Sequence, residues 1–491
     1  MTDRHPPMHP IAQRAAIVPD DMKRHIAIIG SGGAAFAAAI RAVEAGARVT
    51  MIERAPILGG TCVNVGCIPS KIMIRAAEIR HDQAHHRFAG IGQSETPLNH
   101  PALLAQIRAT VDALRHTKYE TILRNTSEIT LLRGSARFDG PHRLLVTDEA
   151  GTCTKLTPDR ILIATGATPM IPSIPGLAGT PFWTSTEALF ADALPTSLIV
   201  IGSSTIALEL AQAYHRLGTA VTVLARTTLL SRNDPALGTA LHALFDAEGI
   251  RVLDNTQAHA ISYQNHQFSV ALTTRTDALN LITADHLLIA TGREPNTAQL
   301  GLDLAGIETN ATGAIIVDPQ LQTSVNTIYA AGDCSTMPQL VYVPAAACTR
   351  AVINMTGGNA TLDLAIVPTV IFTDPAVACV GLDEAQAGAA GINVITRRLD
   401  LDHVPRALAN FDTSGFIKLV AHAESGHLLG AQILARNAGD IIQTAALAIR
   451  YRMTVRDLGD MLFPYLTMAE GLKLTAQTFS KNIAQLSCCA G

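Results

Sequence analysis

The chain has 491 residues, of which 48% are hydrophobic, 16% charged and 4% aromatic, and its formal net charge is −4. That length exceeds what one hydrophobic core organises, so about three domains are expected. The small net charge gives no electrostatic footing for nucleic acid or an anionic membrane, and the hydrophobicity excludes a disordered chain.

Residues 1–22 are rich in His and Pro and contain no apolar run of the kind a signal peptide needs, so a flexible N-terminal arm is expected. From His25 to Gly30 the chain reads as a buried parallel strand, and Ser31 to Ile40 as a helix opening on small residues. Arg48–Glu53 follows as a second strand, completing a βαβ unit. The turn between strand and helix is Gly30-x-Gly32-x-x-Ala35. Gly30 permits a tight turn, Gly32 lets a pyrophosphate approach the backbone, and Ala35 lets the helix pack closely on the strand. The helix N-terminus offers free N–H groups to phosphate, and Glu53 closes the second strand at the distance suited to a ribose hydroxyl.

Next comes Gly59-Gly-Thr-Cys62-Val-Asn-Val-Gly-Cys67-Ile-Pro-Ser-Lys71. Two thiols five residues apart can close a small redox-active disulfide, and a nearby helix start lowers the pKa of one of them. Metal binding by this pair alone lacks the second pair of a zinc finger. Ile161–Gly166 and Leu287–Gly292 are apolar strands that both end in Ala-Thr-Gly, and Pro172 to Pro181 reads as a linker. The stretch from Ile161 to Thr186 is free of charge, but its four prolines break a spanning helix. No transmembrane segment is expected, and the expected location is cytoplasmic.

The βαβ pattern returns at Leu198–Gly202, Ser203–Leu217 and Ala220–Leu224, with the turn Gly202-Ser-Ser204-Thr-Ile-Ala207. Ser204 replaces the middle glycine. The second strand ends without an acid: Ala225 stands there and Arg226 follows. Arg226 can pair with a 2′-phosphate, which predicts NADPH over NADH. Beyond Pro368, strand-like runs such as Phe416–Val420 precede amphipathic helices between Ala438 and Ser480, an α+β texture.

Eight cysteines are too few for a secreted disulfide framework. Cys153, Cys334, Cys348 and Cys379 are expected as small buried residues. Cys488 and Cys489 form a vicinal pair in the last four residues. Soft thiolates select soft metal ions, and adjacent thiols also serve as redox relays.

The long segment around Cys62 and Cys67 resembles the redox motif of the flavoprotein disulfide reductases. The resemblance implies an α/β fold with two Rossmann-like dinucleotide-binding domains, for FAD and NADPH, and a C-terminal α+β dimerisation domain. The implied boundaries are 23–172 and 293–367 for the FAD domain, 173–292 for the NADPH domain and 368–491 for the dimerisation domain with its Cys-Cys tail. The resemblance also implies that Cys67 is the flavin-side thiolate and Cys62 the exchanging thiol. Lys71 would stand beside the flavin with Glu209 as its ion-pair partner. Asp333, in Ala331-Gly332-Asp333, would hold the ribityl or phosphate part. Gly60, Thr61, Thr165 and Gly166 would complete the flavin site, and Gly292 the nucleotide site.

Disulfide-reducing members carry a His-Pro-Thr…Glu segment that protonates the leaving thiolate. Here the stretch reads Phe463-Pro-Tyr-Leu-Thr-Met-Ala-Glu470. Phe463 and Met468 replace the His and the Glu, and neither transfers protons. With the terminal cysteines, this resembles the mercuric reductase branch of the family. That likeness implies reduction of Hg(II), presented as thiol complexes, by a homodimer whose active site is shared between subunits. Cys488 and Cys489 of one subunit would pass the ion to Cys62 and Cys67 of the other, with Tyr465 and Tyr119 beside the inner site. The alternative is an ordinary disulfide reductase acting on lipoamide, glutathione or thioredoxin.

Overall fold

The structure, a computed structural model, describes residues 23–273 and 280–483. The expected N-terminal arm and the Cys488–Cys489 pair lie outside the described residues. The chain divides into two compact units. One comprises Met1–Gly60, His116–Gly166 and Pro295–Leu362; the other comprises Thr61–Arg115, Ala167–Glu294 and Asp363–Gly491.

In the first unit, β1 (His25–Ile29), α1 (Gly33–Glu44) and β2 (Arg48–Glu53) form the βαβ unit read from the sequence. β1 lies at the middle of a five-stranded parallel sheet, with β2 and Ile129–Arg133 on one side and Arg160–Ile163 and Ile328–Ala330 on the other. All five β1 residues are buried, which explains an apolar run without alternation. Its one polar member, His25, places its ring nitrogen 2.8 Å from the Thr50 hydroxyl. α1 buries Ala35, Phe36, Ala38, Ala39 and Ala42. These are mostly alanines, so the helix lies close to the sheet.

The first unit also holds a three-stranded antiparallel sheet, Ser135–Phe138, Leu144–Thr147 and Cys153–Leu156. Cys153 corrects an expectation: it is exposed, because its strand is the sheet's edge and turns its first three residues to solvent. Cys334 and Cys348 are buried as expected, and Cys379, in the second unit, is half-buried.

α2 (Gly60–Val65) and α3 (Cys67–His85) meet at Gly66, in the second unit. A Cβ on Gly66 would stand 2.8 Å from the Thr61 carbonyl oxygen, so the joint between the helices needs glycine. The second βαβ unit is β3 (Ser197–Ile201), α4 (Thr205–Arg216) and β4 (Ala220–Leu224). β3 and β4 lie in a four-stranded parallel sheet between Arg251–Leu253 and His286–Ile289. Met73, Ile74 and Ala77 of α3 share one core with Leu208 and Ala211 of α4. Residues 368 onward build a five-stranded antiparallel sheet. Its Ile417, Leu419 and Ile433 pack with Ile441 of the Ala438–Arg450 helix and Leu472 of α5 (Glu470–Gln477). Among the described residues no helix is long and apolar enough to cross a membrane.

Candidate active site

The first unit forms a backbone cradle at the start of α1. Gly30 has φ +116°, and a Cβ there would stand 2.3 Å from the Ala164 carbonyl oxygen. Gly32 is the N-cap of α1, with no side chain capping the helix N–H groups. Gly60 faces it so closely that a Cβ on Gly60 would stand 2.7 Å from Gly32 Cα. Ala35 is buried behind the turn. This is bare backbone at a helix N-terminus, the chemistry that receives a dinucleotide pyrophosphate. At the end of β2, Glu53 accepts the Ser31 hydroxyl at 2.7 Å and the Ala55 N–H at 2.7 Å, which fixes the carboxylate. The Thr165 hydroxyl is buried beside the Cys334 thiol, and Gly166 follows with φ +67°. Asp333 follows Gly332, whose φ is +95°.

Tyr119 belongs to the first unit too. It sits in the π-helical turn His116–Glu120, edge-on to Phe36 of α1, with ring centroids 4.9 Å apart. Its hydroxyl is 3.4 Å from where a Gly33 Cβ would stand, at the first residue of α1. The sequence offered no motif for this placement.

The second unit holds the second cradle. Gly202 has φ +139°, and a Cβ there would stand 2.2 Å from the Ala290 carbonyl oxygen. Ser204 is the N-cap of α4, but its side chain makes no cap bond, so the first-turn N–H groups stay available. Ala207 is buried behind the turn. Arg226 is exposed just past β4, and Gly292, with φ +131°, lies beyond the strand His286–Ile289.

The thiols occupy the second unit. Cys62 lies in α2, and Cys67 is the first residue of α3. Both are half-buried free thiols that hydrogen-bond to each other. That bond, the Lys71 charge and backbone hydrogen bonding lower the Cys67 pKa to about 7, against the opposing effect of burial. The same bond, with burial, raises that of Cys62. Lys71 follows Cys67 by one helical turn, and its ammonium is 2.6 Å from Glu209 Oε2. Glu209, on α4, is 4% exposed, and its other oxygen accepts the Phe372 N–H at 2.9 Å. The Phe372 ring lies beneath the Lys71 ammonium, 4.5 Å from centroid to nitrogen. The sequence pointed to Lys71 and Glu209 but not to Phe372, which sits in a remote segment without a motif of its own.

The segment 463–470 lies in the second unit as well. Met468 is buried in the C-terminal core, and Phe463 packs against that core. Tyr465 is 58% exposed. Glu470 is buried at the start of α5, and among the described residues one of its carboxylate oxygens has no hydrogen-bond partner. Burial raises its pKa.

Comparison with known proteins places this arrangement. Residues 24–347 match the family described as "Pyridine nucleotide-disulphide oxidoreductase", and residues 367–476 match the dimerisation domain of the same family. The chain is 59% identical over 470 residues to a mercuric reductase of Shigella flexneri, covering 95% of this chain and 83% of the relative. It is 56% identical over 485 residues to a mercuric reductase of Acidithiobacillus ferrooxidans, covering 99% of this chain and 88% of the relative. Among solved structures, the flavoprotein disulfide reductase RclA of Escherichia coli, as its Cu(II) complex, superimposes with a TM-score of 0.83 at 28% identity. That match covers 94% of this chain and all of RclA.

Proposed function

The chain belongs to the pyridine nucleotide-disulphide oxidoreductase family, as an enzyme with FAD and NADPH as cofactors and a dimerisation domain that indicates a homodimer, and we propose that it reduces Hg(II) to elemental mercury. The observation that carries this reading is the pairing of an acidic thiol at a helix start with apolar residues at positions 463 and 468. Cys67, held to a pKa of about 7, supplies a thiolate near neutrality without a separate base. Cys62 keeps its proton until a soft cation displaces it.

In this reading, Hg(II) arrives as a thiol complex and exchanges its ligands for Cys62 and Cys67. Ligand exchange leaves each departing thiol to take its proton from solvent, so the site needs no His at 463 and no Glu at 468. Bound FAD would supply two electrons drawn from NADPH. The balance is Hg(SR)₂ + NADPH + H⁺ → Hg⁰ + 2 RSH + NADP⁺. Lys71 stabilises the thiolate form of Cys67 between turnovers, and Glu209 holds Lys71 in place. The glycine turns at Gly30–Gly32 and Gly60 would receive the flavin pyrophosphate, with Glu53, Thr61, Thr165, Gly166 and Asp333 around the rest of that cofactor. Gly202, Ser204, Ala207 and Gly292 would receive the nicotinamide nucleotide, and Arg226 would select the 2′-phosphate of NADPH. Cys488 and Cys489 of the partner subunit would pass the ion inward past Tyr465, with Tyr119 a further aromatic group of the site, and the enzyme would work in the cytoplasm.

The test is Hg(II)-dependent oxidation of NADPH in excess small thiol, with mercury vapour trapped from the headspace. One Hg⁰ per NADPH is expected. Reduction of oxidised glutathione or lipoamide without vapour would instead favour an ordinary disulfide reductase.

A further inference from the structure

β4 ends at Leu224, and Ala225, Arg226 and Thr227 follow. Arg226 and Thr227 are exposed. A long side chain at such a place has many rotamers, so its aim depends on how firmly the main chain beneath it is held. The hold comes from the turn that follows the strand Arg251–Leu253. The Ala225 N–H donates to the Leu253 carbonyl at 3.0 Å, and the Ala225 carbonyl accepts the Thr256 N–H at 2.9 Å. On the other side of Arg226, the Thr227 carbonyl accepts the Asn255 N–H at 2.7 Å. In an extended strand, consecutive N–H groups point to opposite sides. Asn255 and Thr256 instead turn theirs toward one stretch of chain, because Asn255 adopts a left-handed backbone with φ +51°. Asparagine is among the few residues with a side chain that enter this region readily. The turn is itself seated. The Asp254 carbonyl accepts the Thr256 hydroxyl at 2.9 Å, and Asp254 Oδ2 stands 2.9 Å from Nδ1 of His242, on the helix Pro235–Glu248.

We propose that Asn255 is a positioning residue for the choice of nicotinamide nucleotide: its left-handed backbone holds the Thr227 carbonyl, and so fixes the chain on both sides of Arg226 and the direction from which the guanidinium meets a 2′-phosphate. The inference rests on the reading of Arg226 as the group that selects NADPH. The role belongs to the backbone of Asn255, so the residue type matters through the φ it tolerates. Glycine accepts a positive φ freely, and a β-branched residue resists it. With Val at this position the turn relaxes to negative φ, and the N–H swings off the Thr227 carbonyl. The chain after Arg226 is then released, while Ala225 keeps its bond to Leu253. Asn255 is exposed, so the exchange leaves the core intact.

The test is calorimetric titration of the flavin-loaded enzyme with 2′,5′-ADP and with 5′-ADP, two probes that differ only in the 2′-phosphate. Asn255→Val is expected to weaken 2′,5′-ADP about five- to tenfold and 5′-ADP less than about twofold, a part of what full loss of a charge-assisted pair removes. Asn255→Gly, which keeps the N–H and the φ, should bind both probes within about twofold of the parent. In an Arg226→Ala background, Asn255→Val should change 2′,5′-ADP affinity by less than about twofold, because the group it positions is gone. Glycine as damaging as valine would mean that the side chain acts, and would overturn the proposal. A full effect of Asn255→Val in the Arg226→Ala background overturns it too. Should Asn255→Val not fold, Asn255→Ala makes the same comparison, with an expected loss of about two- to fivefold for 2′,5′-ADP alone; an unchanged ratio of affinities there is the overturning result. If Arg226→Ala lowers the ratio and Asn255→Val does not, the inference fails and the reading of Arg226 stands. If Arg226→Ala leaves the ratio unchanged, both fail.

Discussion

The Cys62 thiol hydrogen-bonds to Cys67, and that contact drives the two acidities in opposite directions. A pair of this kind presents one ready nucleophile and one reserve proton. The Cys67 thiolate should be half-formed near pH 7, because its pKa is lowered to about 7 from the ordinary thiol value. Alkylation of the reduced enzyme is therefore expected to rise through pH 7 at Cys67, fall away below pH 6, and leave Cys62 unmodified over that range. Equal rates at the two cysteines would contradict the asymmetry.

Gly60→Ala should yield protein poor in flavin. The new Cβ would stand 2.7 Å from Gly32 Cα, and the backbone φ of +65° is itself unfavourable for alanine. Strain of about 1–3 kcal/mol at the cradle corresponds to roughly 5- to 150-fold weaker cofactor binding. The ratio of flavin to protein absorbance after purification measures it, and a normal ratio would remove Gly60 from the flavin site.

Arg226→Glu should lower kcat/KM for NADPH by about 10- to 100-fold and leave NADH nearly unchanged, since a charge-assisted pair with the 2′-phosphate contributes roughly 1.5–3 kcal/mol. Parallel initial-rate measurements with both nucleotides decide it. Equal losses with both would mean that Arg226 does not read the 2′-phosphate.

Replacing both Cys488 and Cys489 with Ala should spare turnover of Hg(II) offered on small ligands and depress turnover of bulky thiol complexes about tenfold or more. A variant indifferent to every mercury ligand would end the relay role of the tail.

Glu470→Gln should stabilise the protein at alkaline pH. The folded-state pKa of Glu470 is raised by burial, so the native state binds its proton more tightly than the unfolded state does. Its contribution is complete below the unfolded carboxylate value and is lost as pH rises through the folded one. Glutamine mimics the neutral form. Urea midpoints of variant and parent should coincide near pH 4 and separate, in favour of the variant, at pH 8. The same substitution should leave mercury turnover intact if Glu470 does not replace the missing acid.

The two βαβ units were legible because their signals are local. β1 and β3 read as largely apolar runs, and Gly30 and Gly202 stand where a Cβ would collide with the Ala164 and Ala290 carbonyls. The thiol pair was legible for the same reason, since Cys62, Cys67 and Lys71 fall within one short segment. Cys153 was misjudged because burial of a lone cysteine depends on whether its strand is central or at an edge, which composition does not reveal. Phe372 was invisible because it reaches the site through its backbone N–H and its ring, from a segment far from the thiols in sequence. The contact of the Tyr119 hydroxyl with the first residue of α1 had no motif to announce it. No local pattern announces a contact made across a fold.

α4 begins at the nucleotide cradle and carries the Lys71 partner one turn further on, then Gln212 and Arg216. Each residue of an α-helix advances the direction of a side chain by about 100°. Gain or loss of a single residue between Ala207 and Glu209 would swing Glu209 away from Lys71 and from the Phe372 N–H while leaving the cradle untouched. The number of residues between the nucleotide cradle and the ion pair beside the thiols therefore matters as much as their identity.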